Sequence, residues 1–94
     1  KITFESPELL TRHFEKHREE FGDISETEYL QKANQLHIEV LSDDVEQIIR
    51  SDGSIAKYKI STNEFLVVTK DRKIRTYFKP VDGTDYWRYE HERN

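Results

Sequence analysis

The chain of 94 residues has no cysteine, no methionine, three glycines and two prolines. Without cysteine there are neither disulfides nor thiolate metal sites. Its apolar runs are only a few residues long, so the sequence shows no signal peptide and no membrane span. A chain that begins at Lys1 and lacks methionine is expected to be a piece cut from a longer polypeptide. No repeat, linker or low-complexity segment divides it. The apolar fraction is low, 34%, yet five Phe, five Tyr and one Trp in periodic segments argue against disorder. The length fits one domain, 1–94, with a single small core.

The net charge is −4, but it is unevenly spread: residues 1–46 carry −7 and residues 47–94 carry +3. Salt screens charges beyond roughly 8–10 Å, so a basic half on an acidic chain still makes a local phosphate-binding surface. The plain reading, an ordinary solvated mixture of charges, competes with it.

Ser6 is a good N-cap, Pro7 suits the first helical position, and Glu8 complements the helix dipole. Leu10, His13, Phe14, His17 and Phe21 then share one helical face, and Gly22 is placed to end the helix. Ser25-Glu26-Thr27-Glu28 is a capping-box pattern that opens a second helical stripe through Tyr29, Leu30, Ala33, Leu36 and Val40. Its end is ambiguous, because Leu36–Leu41 also alternates.

After Asp44 the period changes to two. Val45–Arg50 and Ile55–Ile60 flank Ser51-Asp52-Gly53-Ser54, whose Asp-Gly is a hairpin signal. Glu64–Thr69 and Ile74–Lys79 supply two more strands, and Pro80 ends the last. Tyr86-Trp87 either adds a short fifth strand or packs over the sheet edge, and the polar tail Arg88–Asn94 is expected to fray. The expected fold is α+β: two N-terminal helices (1–42) packed on one face of a four- to five-stranded antiparallel meander (43–94). Ala56, Tyr58, Ile60, Ile74, Thr76 and Phe78 are expected to face the helices. Lys57, Lys59, Arg75, Tyr77 and Lys79 are expected on the solvated face or its margin, where charges need no function.

Two anomalies stand out: His13 and His17 on the apolar stripe of the first helix, and the Thr76 hydroxyl between Ile74 and Phe78. Four residues apart, the histidines lie on one side of the helix. They suit a partly buried hydrogen-bonded pair, a zinc site for which no third ligand is obvious, or acid–base catalysis near neutral pH. Metal-free phosphodiester cleavage needs a base for the 2′-hydroxyl, an acid for the leaving 5′-oxygen, and donors for the phosphorane. His17, His13, Arg50, Thr76 and a nearby lysine form such a set. Tyr77, Tyr86 and Trp87 are candidates for stacking on bases, or else fill the core.

The series Leu10-x-x-His13-Phe14-x-Lys16-His17-x-x-Glu20-Phe21-Gly22, Ser25-x-x-Glu28-Tyr29-Leu30-x-x-Ala33, Arg50-Ser51-Asp52-Gly53, Thr62-Asn63-Glu64-Phe65, Ile74–Pro80 and Asp82-Gly83-x-x-Tyr86-Trp87 covers nearly the whole chain. It resembles the C-terminal toxin domains of bacterial polymorphic toxins, including the CdiA-type toxins of contact-dependent growth inhibition, in the barnase–EndoU–colicin–RelE-like ribonuclease group. The resemblance implies a ribonuclease that needs no metal or cofactor and cleaves RNA, tRNA above all. It would belong to a secreted or cell-surface effector and act in the cytoplasm of a target bacterium. A cognate immunity protein would block it in producing cells, the chain being expected as a monomer in that complex, and elongation factor Tu presents the tRNA in some relatives. Carried over, the motifs place His13, His17, Thr76 and Arg50 in the active site, with Lys16, Lys57, Arg75, Tyr77, Lys79 and Tyr86 as substrate contacts. His17 is expected to do the acid–base work, with His13 as its partner or a substrate contact and Thr76 and Arg50 as phosphate stabilisers. Relatives usually have Lys-His-Gly where this chain has Lys16-His17-Arg18. A binding module for RNA or protein without chemistry is the alternative.

Overall fold

The computed structural model describes residues 1–93; Asn94, part of the tail expected to fray, lies outside them. The order is α1 (Pro7–Phe21), α2 (Glu26–Ile38), β1 (Val45–Ile49), β2 (Ile55–Lys59), β3 (Glu64–Val68), β4 (Ile74–Phe78) and α3 (Thr84–Arg93). The four strands form an antiparallel meander in chain order, preceded by two helices, so the fold is α+β. Among the described residues there is no fifth strand.

Local chemistry starts the helices where expected. The Ser6 side chain accepts the Leu9 N–H at 3.2 Å, and Gly22 leaves α1 with φ +83°. Ser25 and Glu28 make both bonds of the capping box. At the far end of α2, Lys57 of β2 donates to the His37 and Glu39 carbonyls at 3.0 and 2.6 Å. A cation on the last carbonyls settles the ambiguous segment as helix to Ile38.

The sheet is covered on both sides, which corrects the expectation of a solvated face. α1 and α2 cover one side, where Phe14, Tyr29, Leu36, Leu66, Ile74 and Tyr77 are buried together. The other side carries Ala56, Tyr58, Phe65 and Val67 under Trp87 of α3, with Ile48, Phe78 and Tyr86 packed around them. The tail expected to fray is thus largely helix: Trp87 stacks on Tyr58 at 5.5 Å and donates to Glu46 at 2.7 Å. A strand buried on both faces loses its alternation, and Phe65 to Val68 are all buried.

Apart from Ile74, which faces the helices as expected, the strand faces are also reversed from expectation. Register passes from Val67↔Thr76 to Val68↔Ile74, so Arg75 is an extra residue in a bulge. Ile74 and Tyr77 therefore face α1 and α2. Thr76 falls in the row with Val67 and Ala56 on the α3 side, and Phe78 joins that side's cluster. Ala56 and Tyr58 lie there too, Ile60 is exposed, and Lys57 is buried on the helix side.

Candidate functional site at the edge of the last strand

α1 lies against β4; His17 of its stripe meets that strand directly, and His13 packs on Phe4 beside it. The His17 ring stacks on Phe78 with centroids 5.2 Å apart, and the His13 and His17 rings are 6.1 Å apart. His13 packs on Phe4 at 4.8 Å, and Phe4 forms a parallel bridge with Ile74. A cleft of about 320 Å³ opens at His13, with Arg75, Lys73 and Thr69 in its wall and Glu5 adding a carboxylate. That volume is at the lower end of small-molecule sites. Thr76 sits in sequence between Arg75, which shares the cleft with His13, and Phe78, which carries His17. The Thr76 side chain, however, falls on the α3 side of the strand and is not among the residues that line the cleft.

His17 is largely buried, and its Nδ1 lies 2.8 Å from Glu20 Oε2. The other Glu20 oxygen accepts the Lys79 backbone N–H at 2.8 Å. A carboxylate accepts and does not donate, so Nδ1 carries a proton, and in the neutral ring Nε2 has the lone pair. Glu20 is the residue whose role sequence reasoning missed. Its signal was the i, i+3 spacing from His17, which puts both on one helix face.

His13 differs. Its Nδ1 is buried and has no hydrogen-bond partner among the described residues. Burial, followed by His17, Lys16 and Arg12, pushes its pKa below the usual histidine value of 6.5. An imidazole so placed is neutral near pH 7 and able to accept a proton.

The remaining predicted residues divide. Arg75 lines the His13 cleft and also pairs with Asp52 at 3.2 Å. Lys79 is partly exposed, its ammonium 5.1 Å from the Phe21 ring centre, and Lys16 is exposed on α1. Tyr86 is half-buried, edge-on to Phe65 and Phe78. Arg50 lies on the same sheet face as Thr76 but three strands away, on the order of 14 Å at the usual strand spacing. Its guanidinium is paired with Glu90 of α3. Two expected substrate contacts are corrected. Lys57 is buried with its ammonium on the end of α2, and Tyr77 is fully buried with its hydroxyl on Glu64, so neither presents a surface to a ligand. Trp87 is core, as its alternative reading had it.

Three larger depressions, about 550 Å³ beside Asn34 and Ile38, about 480 Å³ beside Trp87 and His91, and about 380 Å³ beside Thr11 and Arg12, hold none of the residues that the resemblance carried over. Among the described residues no cluster of His, Asp and Glu suits a metal ion, and no helix is long and apolar enough to cross a membrane. The sequence matches no protein-family model and none of the curated proteins at a significant level.

Proposed function

We propose that the chain is an antibacterial toxin ribonuclease that cleaves RNA, tRNA above all, without a metal. The observation that carries this reading is the imidazole pair at the β4 edge, one ring held by the Glu20 carboxylate and the other in a cationic cleft. One imidazole takes the 2′-hydroxyl proton, and the 2′-oxygen attacks phosphorus. The bond to the 5′-oxygen breaks, and the imidazolium formed by that proton transfer protonates the leaving oxygen. The products are a 2′,3′-cyclic phosphate and a 5′-hydroxyl end. His17 does the acid–base work with Nε2, and His13 is its neutral partner. Arg75 and Lys73, which line the His13 cleft, offset phosphorane charge. They take over the role expected of Arg50, whose guanidinium is engaged by Glu90. In this reading the chain acts inside a target bacterium and is blocked by an immunity protein, and elongation factor Tu is a partner to test.

The test is incubation of total tRNA with the chain in EDTA, beside a His17→Ala variant. The reading predicts cutting by the parent and a loss of about 10²–10⁴-fold in the variant, the usual contribution of a positioned acid–base group. Cutting that returns only with a divalent metal would count against it.

The depth of His17, 9% exposed, favours a second reading: a binding module with structural histidines and no chemistry. That reading predicts no growth arrest when the chain is expressed in a bacterium. The ribonuclease reading predicts arrest that His17→Ala relieves.

A further inference from the structure

The two edges of the sheet are finished differently. The outer edge of β4 is closed: Ile74 N–H donates to Thr3 C=O at 2.8 Å, Tyr77 C=O accepts the Tyr29 hydroxyl, and Lys79 N–H donates to Glu20. On the other side, Ile60 N–H donates to Asp44 C=O and Arg50 N–H donates to Ser54 C=O. Asp44 and Arg50 therefore turn their backbone groups toward β2. By the two-residue period of an antiparallel pair, Glu46 and Ile48 do so as well. Val45, Gln47 and Ile49 turn theirs outward. Val45 is closed off by reciprocal bonds with Ser42, but among the described residues nothing bonds the outward N–H and C=O of Gln47 and Ile49.

We infer that this edge pairs with the same edge of a second copy of the chain, antiparallel and centred on Ile48. The register is selected by what each alternative satisfies. Centred on Ile48, Gln47 faces Ile49 of the second copy twice, and all the outward groups of both residues are used in four hydrogen bonds. Centred on Gln47, only the Gln47 pair bonds, because Ile49 would then face Val45, already bonded to Ser42. The Ile48 register also sets Glu46 opposite Arg50 of the second copy, opposite charges in facing positions of an antiparallel pair. Glu46 is exposed and accepts from Trp87, while Arg50 is paired with Glu90 and its buried Nε has no acceptor among the described residues. Ile49, 68% exposed, leaves water on pairing. No proline or lysine blunts the strand, the usual protection of an edge that stays unpaired.

Sedimentation velocity over a concentration series tests this, together with hydrogen exchange of the Gln47 and Ile49 amides. The parent mass is expected to rise from 11.3 kDa toward twice that value, with both amides slowing as it does. Gln47→Pro removes a donor that points away from β2 and leaves the β1–β2 ladder intact. It is expected to raise the dimer dissociation constant about tenfold or more. Ile49→Lys, at an exposed position that the fold tolerates, is expected to act in the same direction. A parent that stays at 11.3 kDa throughout overturns the inference, whether or not another protein occupies the edge. So does a dimer unaffected by Gln47→Pro, or one whose two amides exchange as fast as in the monomer.

Discussion

His17 is held by Glu20, whose carboxylate lies 2.8 Å from the ring Nδ1 while its second oxygen grips the backbone of Lys79. One side chain thus sets the tautomer of an imidazole and ties the end of α1 to the end of β4. The pairing rests on helical spacing: residues three apart project from the same side, and the helix end meets the strand end where Pro80 stops the ladder.

Glu20→Gln follows directly. The amide keeps the shape and still accepts from Lys79, but it no longer forces the proton onto Nδ1. RNA cleavage is expected to fall by a part of the His17→Ala loss, about 10-fold or more, in kcat rather than KM. Nitrogen-15 shifts of the His17 ring should show the second tautomer appearing. Unchanged kcat with an unchanged ring spectrum would remove Glu20 from the site.

His13 makes stability depend on pH. Burial lowers its folded-state pKa below 6.5, so between that lowered value and 6.5 the unfolded chain binds more protons than the folded one. Stability therefore rises with pH through that window and is lost as pH falls from 6.5 toward the folded value. His37, lowered by burial and then by Arg72 and Lys57, acts in the same direction. Urea unfolding at pH 7.5 and 5.5 is expected to show a weaker protein at 5.5. His13→Gln should flatten the difference; an undiminished slope in that variant would assign the effect elsewhere.

Lys57→Ala is expected to weaken the fold without touching chemistry. The ammonium is the partner of two carbonyls at the end of α2, and its loss leaves them without that donor at a cost of about 1–3 kcal/mol. Denaturant midpoints measure this. Activity per folded molecule should be unchanged, and a selective loss of RNA cleavage would return Lys57 to the substrate surface.

The caps, the Asp-Gly hairpin and the order of helices and strands were legible because each depends on a few adjacent residues. Ser25 with Glu28, and Gly53 at φ +86°, carry their geometry in their own chemistry. The strand faces were not legible. Ile-Arg-Thr-Tyr-Phe alternates perfectly on paper, but the bulge at Arg75 shifts the phase, so Tyr77 goes to the α1–α2 core and Thr76 to the other side. The third helix was hidden because its residues are mostly polar, with Tyr86 and Trp87 supplying its apolar contact with the sheet. Of the site, the His13/His17 stripe was visible in spacing. The Glu20 hold, the Lys73 wall and the capture of Arg50 by Glu90 depend on which elements meet, which periodicity does not encode.

The most direct measurement compares an RNA oligonucleotide with its 2′-deoxy counterpart, both in EDTA, with the product ends identified. If the imidazoles at the β4 edge drive attack by the 2′-hydroxyl, only the ribose strand is cut, leaving a 2′,3′-cyclic phosphate and a 5′-hydroxyl, and His17→Ala cuts neither at a comparable rate. Cleavage of the deoxy strand, 5′-phosphate ends, or full activity in the His17 variant would contradict the account.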